Sequence, residues 1–334
     1  MSRLLTPEDL YALKLCGDPR IAPDGTRIAY IHSEIDREAY EYRRSIWVVP
    51  TAGGAPRQFT SGPKDSAPRW SPDGSQLAFV RAPGGEVKPS SAEERAKGKG
   101  KPQIWLMPAD GGEAQQLTFL RHGAGAPVWS PDGTTLLFAA DTGEPDDADA
   151  DDAALKGKHL PKVRTIDHMW YRLDGHGYTY ELRTHLFSIS SAGGEPKQLS
   201  DGDWNDSEPA WSPDGRRITF VSDRSDERWN WPAGQVWVQD VAGGEPRRIS
   251  DEELGANAPQ FSPDGRTLAF LASPRRHGTG HTDLYVAPAT PTEGPARLLT
   301  EDFVATCDDT CIDDMRIGHG AAHLVWSTDG RDIY

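Results

Sequence analysis

The sequence predicts an all-β chain folded as a β-propeller of four-stranded antiparallel blades, about five full blades plus half of another. Three observations carry that expectation. The turn motif WSPDG stands at 70–74, 129–133 and 211–215, with close variants IAPDG at 21–25, FSPDG at 261–265 and WSTDG at 326–330. Each complete copy is followed by a second hairpin-like stretch ending in QFT, QLT, QLS, RIS or LLT. The 34 glycines and 27 prolines, set around short apolar runs, suit many tight turns rather than long helices.

Before the first copy, Thr6 is placed to cap a short helix, with Pro7 at its first position and Glu8 and Asp9 in its first turn. Residues 1–17 are therefore expected as an N-terminal helical segment, and 18–334 as the propeller. In each Ser-Pro-Asp-Gly turn, proline presets φ, aspartate suits the next position and glycine accepts the exit conformation of a tight reversal. On either side, stretches such as Ala67-Pro68-Arg69-Trp70 and Gln76-Leu77-Ala78-Phe79-Val80 have strand composition, giving a hairpin.

The second hairpins read IWVVPTAGGAPRQFT from Ile46, IWLMPADGGEAQQLT from Ile104, LFSISSAGGEPKQLS from Leu186 and VWVQDVAGGEPRRIS from Val236. A fifth, LYVAPATPTEGPARLLT from Leu284, lacks the Gly-Gly pair. Two hairpins recurring at intervals of roughly 50 to 80 residues make a blade with inserted loops. Trp70, Trp129 and Trp211 hold one blade position and are expected to pack between neighbouring blades, so the motif is scaffold rather than chemistry. The sixth copy stops after Asp332-Ile333-Tyr334, within a blade, so a longer parent is expected. No Gly-His and Trp-Asp pair recurs, which excludes the WD-repeat version.

The formal net charge of −15 excludes nucleic acid and anionic membrane as partners, since both need a basic footprint. Neither an apolar run of spanning length nor an apolar signal core occurs, so a cytoplasmic chain is expected. Three cysteines, Cys16, Cys307 and Cys311, give no disulfide framework.

In a four-stranded meander the first-to-second and third-to-fourth turns share one end of the propeller. The other connections share the opposite end. The short SPDG and Gly-Gly turns fall at the first end, and the long stretches 32–45, 81–102, 141–184, 223–234, 273–282 and 301–323 at the second, where function is expected. EERAKGKGK at 93–101 and EPDDADADD at 144–152 have no apolar face and are expected to be solvated.

Several groups mimic metal sites. Asp147, Asp149 and Asp151 begin like a calcium loop, but Asp152 and Lys158 occupy its glycine and glutamate places. Cys307, Cys311, His319 and His323 have zinc-like pairs, with a spacer shorter than that of a finger, and His277 and His281 lack a third ligand. No metal and no cofactor is expected. The stretch IDHMWYRLDGHGY at 166–178 combines aromatics, a fixed cation and turn glycines, so Trp170, Tyr171 and Arg172 are candidate binding residues. Arg228, beside Trp229 and Trp231, and Arg275 with Arg276 are further candidates, suited to a peptide carboxylate or carbonyl. Packing against a partner domain is the alternative use of the same residues. No Gly-x-Ser-x-Gly, His-Glu-x-x-His or phosphate loop occurs, so no catalytic residue is expected within 1–334.

The opening LTPEDLYALKLCGDPRIAPDG at 5–25 and the stretch YRLDGHGYTYELRTHLF at 171–187 resemble the N-terminal propeller of acylaminoacyl-peptidase-like members of the prolyl oligopeptidase family of serine peptidases. The Tol-system propellers share the SPDG turn but not these stretches. The resemblance implies a seven- or eight-bladed propeller that admits short or N-blocked peptides to an α/β-hydrolase domain lying beyond residue 334. It also implies a Ser-Asp-His triad outside this chain, short peptides and that domain as partners, and leaves a homo-oligomer open. Glu93-Glu94 and Glu252-Glu253 sit in contexts unlike the paired-glutamate loop of the dipeptidyl-peptidase relatives, which disfavours aminodipeptidase action. The alternative function is a stand-alone propeller binding a protein partner through its long-loop face.

Overall fold

The computed structural model describes residues 4, 6–84, 87, 89–143, 165–166, 169–173, 177–178, 182–230, 232–274, 281–308 and 324–334. A 3-10 helix, Pro7–Ala12, comes first; the Thr6 N–H and hydroxyl both donate to the Asp9 carboxylate. Strand structure begins at Lys14, earlier than the expected boundary at residue 18.

Five blades follow, each a meander of four antiparallel strands. Blade 1 comprises Lys14–Ile21, Arg27–Asp36, Glu41–Pro50 and Arg57–Gln58. Blade 2 comprises Lys64–Trp70, Gln76–Ala82, Gln103–Pro108 and Gln115–Gln116. Blade 3 comprises Val128–Trp129, Thr135–Thr142, Arg183–Ser190 and Lys197–Gln198. Blade 4 comprises Asp206–Trp211, Arg217–Ser222, Gln235–Asp240 and Arg247–Arg248. Blade 5 comprises Leu254–Phe261, Thr267–Pro274, Asp283–Pro288 and Arg297–Leu298. A bridge between Trp326 and Ile333 opens a sixth.

Two expectations about loops are corrected. Residues 32–45 are a hairpin rather than a loop: His32 pairs with Ser45, and pairing continues to Asp36 and Glu41, because Ile35 and Tyr42 extend the strand pattern. Residues 93–101 are not simply solvated. They continue a short helix, Ala92–Ala96, and Gly98 is buried where a Cβ would collide with the Leu120 carbonyl.

The core lies between blades rather than within them. Ile46, Val48, Trp70, Leu77 and Phe79 join blades 1 and 2 in one cluster. Val80, Ile104, Trp129, Leu136 and Phe138 join blades 2 and 3, and Leu137, Leu186, Ile218 and Phe220 join blades 3 and 4. Val236, Val238, Phe261, Leu268 and Phe270 join blades 4 and 5. Phe79, Phe138, Phe220 and Phe270 occupy one position of the second strand, nine residues after the motif aromatic, and all are fully buried.

The motif tryptophan also makes a directed bond across each seam. The indole N–H of Trp70 donates to the Arg20 carbonyl at 3.0 Å, that of Trp129 to Arg69 at 3.0 Å and that of Trp211 to Val128 at 3.1 Å. Trp326 reaches Gln260 at 3.3 Å. In each case the acceptor directly precedes the equivalent motif residue of the preceding blade, Ile21, Trp70, Trp129 or Phe261. Phe261 has no such donor. At its seam Arg217 lies over the Phe261 ring and donates to the Gly265 carbonyl at 2.6 Å, and the Glu208 carboxylate accepts the Ala258 N–H at 2.6 Å. Burial, with the Asp308 charge adding to it, raises the Glu208 pKa above the ordinary carboxylate value.

The turns stack as well. Gly74, Gly133, Gly215, Gly265 and Gly330, all at φ near +70°, leave room for Pro23, Pro72, Pro131, Pro213 and Pro263 of the preceding turn. Within a turn such as 71–76, Ser71 Oγ donates to Asp73 at 2.5 Å, Asp73 accepts the Ser75 N–H, and Ser71 Oγ accepts the Gln76 N–H. At the far end of each blade, Thr60, Thr118, Ser200, Ser250 and Thr300 use their hydroxyls to accept the N–H of Ile46, Ile104, Leu186, Val236 and Leu284. That bond is the physical content of the repeated final Ser or Thr. The first strands of blades 1, 2, 4 and 5 carry a bulge one residue before a proline, with Asp18, Ala67, Glu208 and Ala258 at φ near +50°.

Two outcomes follow for stability. Trp129→Phe keeps a ring but strands the Arg69 carbonyl, so it costs about 1–3 kcal/mol in urea unfolding, against about 3–5 kcal/mol for Trp129→Ala; equal costs would rule out the directed bond. The Ser71 and Ser75 hydrogen bonds hold the Asp73 carboxyl down at about 2, and its five counterparts are also lowered. These carboxylates stabilise the fold above their unfolded pKa of about 3.9 and lose that contribution as pH falls towards 2. Acid unfolding followed by circular dichroism is expected to steepen below about pH 4, with a shallower acid limb for Asp73→Asn.

Candidate functional site

The alternating strand directions put the SPDG and Gly-Gly turns at one end of the propeller and the long connections at the other, as the sequence order requires. Among the described residues, one large apolar side chain, Ile21 of the IAPDG copy, is exposed within a short-turn motif. Leu10, Tyr40, Phe119, Met169, Trp170 and Phe303 are exposed, and all belong to the long-connection end. A shallow groove of about 120 Å³ at the opposite end, lined by Lys197, Leu199, Ile218, Gln239 and Val241, offers little enclosure.

The long-loop end carries two related polar devices. In blade 2, Asp65 of the first strand is a register partner of Arg81 in the second. The carboxylate is fully buried and takes a two-point contact, from Arg81 Nε at 2.7 Å and Nη2 at 2.8 Å. The guanidinium lies 5.1 Å from the Phe79 ring centre and 5.0 Å from that of Trp105. Gly62 packs so closely over the pair that any side chain there would meet both partners.

In blade 4, Asp206 holds the same place, five residues before the motif tryptophan, and is again fully buried. It accepts from Arg224 Nη2 at 3.1 Å and lies 3.4 Å from His185 Nδ1 of blade 3. Burial alone would raise its pKa. The hydrogen bonds of His185, Ser200 and Ser222 and the Arg224 charge outweigh it and hold the carboxyl below its ordinary value. Arg224 is sandwiched between Trp204 at 4.6 Å and Trp237 at 4.8 Å.

Beside this device, Asp203 receives Arg183 at 2.7 Å and Arg228 at 3.1 Å, and Arg183 lies 4.3 Å from the Trp229 ring centre. Partial burial opposes ionisation of Asp203, yet its two arginines keep its pKa lowered. Of the candidates read from the sequence, Arg228 thus enters this cluster, giving Nε to the Asp203 carbonyl, Nη1 to the Ser225 carbonyl and Nη2 to the Asp203 carboxylate. Trp170 and Tyr171 precede, and Arg172 opens, a small separate hairpin of Arg172–Leu173 with Gly177–Tyr178, in the blade 3 insertion. Arg275, Arg276 and Trp231 lie outside the described residues, as do His277, Cys311, His319, His323 and the acidic run 144–152.

Among the described residues no three His, Cys, Asp or Glu side chains gather as a metal site, and no helix is long and apolar enough to cross a membrane. Cys16 and Cys307 are free thiols. Of the glutamate pairs, Glu93 and Glu94 hold Lys97 and Lys99, and Glu252 holds Arg248.

Sequence reasoning missed Asp65, Arg81, Asp206 and Arg224. The available signal was an aspartate five residues before the motif tryptophan, at one blade position twice, each time with a tryptophan in the third strand. Removing Asp206 leaves the Arg224 guanidinium without its buried counter-charge, so Asp206→Ala is expected to cost about 3–5 kcal/mol in chemical unfolding. A cost below 1 kcal/mol would show the pair to be dispensable.

Comparison with known proteins agrees with this architecture. The TolB beta propeller domain family (PD40) matches residues 178–305. The chain is 34% identical over 221 residues to the uncharacterized peptidase YuxL of Bacillus subtilis; the match covers 66% of this chain and 31% of that peptidase, so the chain spans about a third of its relative. Among solved structures, the acylaminoacyl peptidase of Pyrococcus horikoshii superposes with a TM-score of 0.62 at 16% identity, over 88% of this chain and 40% of the other. TolB of Acinetobacter baumannii does so with a TM-score of 0.52 at 17% identity, over 92% and 57%. The chain is a β-propeller whose residues 178–305 match the TolB beta propeller domain and whose sequence is similar to part of the peptidase YuxL.

Proposed function

We propose that this propeller is the substrate-gating part of a cytoplasmic serine peptidase acting on short or N-blocked peptides. In this reading its long-loop face meets an α/β-hydrolase domain that supplies the Ser-Asp-His triad. The observation that carries the reading is the placement of Met169, Trp170, Phe119 and Phe303, each exposed on a connection of the long-connection end, whereas the short-turn motifs expose, among the described residues, Ile21 alone. Apolar side chains so placed fit a covering domain, since a soluble surface rarely leaves large apolar patches open. The 34% identity to a peptidase, over a third of that protein's length, supports the same reading. A narrow propeller entrance would select substrates by size, admitting flexible peptides and rejecting folded chains. Trp170, Tyr171 and Arg172 would stand at that entrance.

The likeness to TolB favours a second reading, a propeller that binds a protein partner and performs no chemistry. The two separate on one experiment, labelling the full translation product of the gene with a serine-reactive fluorophosphonate. The peptidase reading expects a labelled polypeptide larger than 36.6 kDa, with a Gly-x-Ser-x-Gly motif downstream of Tyr334. An unlabelled product with no such motif would overturn it in favour of the binding propeller.

A further inference from the structure

We propose that Arg81 and Arg224 are two preset guanidinium anchors for peptide carboxylates on the long-loop face. The proposal rests on the peptide-gating reading for its biological setting, although the binding itself needs no hydrolase domain. Each arginine is fixed in three ways. A fully buried aspartate holds one edge, an indole ring lies under or around the plane, and the second strand sets the origin, from within it for Arg81 and from two residues past its end for Arg224. Such fixing removes most of the rotamer entropy that an arginine otherwise loses on gripping a ligand.

What remains available distinguishes these two from their neighbours. Arg228 gives Nε, Nη1 and Nη2 to protein oxygens, and Arg183 gives Nε and Nη2 to Asp203 and Nη1 to the Leu182 carbonyl. Arg81 gives only Nε and Nη2, both to Asp65, and Arg224 gives Nε to Ser222 and Nη2 to Asp206. Their side chains keep 22% and 14% of their surface open. Neither Nη1 is among the buried nitrogens left without a partner, unlike Nε of Arg27. The Nη1 group of each is therefore not sealed from solvent, and its N–H groups are unused by the protein. A carboxylate meeting that edge gains charge-assisted hydrogen bonds from a donor already aligned. The device appears in blade 2 and again in blade 4, while the equivalent first-strand positions of blades 1, 3 and 5 hold Cys16, Ala124 and Ala256.

The test is a calorimetric titration of the purified chain with Ala-Ala-Phe, with its C-terminal amide, and with acetyl-Ala-Asp-Ala-amide, repeated for Arg81→Lys and Arg224→Lys. Lysine keeps the charge but loses the fork held by aspartate. The free acid is expected to bind at least tenfold more tightly than the amide, with the preference falling to under threefold in the lysine variants. Tight binding by the aspartyl peptide as well would assign the anchors to any carboxylate; tight binding by the free acid alone would assign them to chain ends. Equal binding of acid and amide, or an undiminished preference in both variants, overturns the proposal. Should a variant fail to fold, the Nε–H resonances of Arg81 and Arg224 in the unsubstituted chain decide: they shift with the free acid and not the amide, or the proposal falls. Because the readout is binding, a negative result here leaves the fluorophosphonate outcome untouched, and the reverse also holds.

Discussion

The indole N–H of one blade, bonded to a first-strand carbonyl of the blade before it, is the interaction on which the rest of the architecture depends. Backbone bonds between successive blades are few and lie near the long-connection end: the Arg44 N–H donates to the Pro63 carbonyl, that of Ala124 to Pro102 and that of Ala256 to Gly234. Towards the short turns the seams rely on packing and on the directed contacts that side chains supply. Trp70, Trp129, Trp211 and Trp326 supply one each, always to the residue preceding the equivalent motif position. A directed bond fixes the angle between blades where apolar packing alone would permit sliding. The stacked turn prolines and glycines make the same angle repeat around the axis. Where the indole is replaced by Phe261, a guanidinium and a bulge carboxylate take over, which indicates that a seam needs a polar clasp and tolerates different chemistries for it.

The blade pattern was legible because it is local. Pro-Asp-Gly specifies a reversal, the flanking residues alternate, and the closing Ser or Thr bonds back to its own blade. Each of these signals lies within a few residues of its effect. The inter-blade partner of Trp129 lies 60 residues earlier, and no local pattern points to a backbone carbonyl, so the sequence suggested packing and not the bond. The bulges are a middle case. A proline recurs two residues before the motif position at Pro19, Pro68, Pro127, Pro209 and Pro259, yet the residue before it takes a positive φ at Asp18, Ala67, Glu208 and Ala258 and not at Ala126.

The candidate site was legible in its location and less so in its members. Loop length alone pointed to one end of the propeller as the place to look. The residues first singled out, Trp170 to Arg172 and Arg228, were chosen for exposed aromatic and cationic character, which a sequence displays openly. Arg81 and Arg224 fall within the long connections 81–102 and 223–234 but were passed over because neither has an aromatic residue beside it in the sequence. Their role depends on the buried Asp65 and Asp206, and burial of an aspartate is visible only when the sheets are assembled. Such a carboxylate costs stability to bury and is offset by the arginine it orients. The arrangement exchanges some core stability for a guanidinium in a fixed pose, facing the end where the apolar surface is also exposed.

The central claim, that indole bonds clasp successive blades, is tested most directly by hydrogen exchange at the indole nitrogens of a uniformly labelled sample. The account predicts that the N–H groups of Trp70, Trp129 and Trp211 exchange only through global unfolding, with protection matching that of the central strands. Exchange of these three at the rate of a free indole, while the strand amides stay protected, would contradict it.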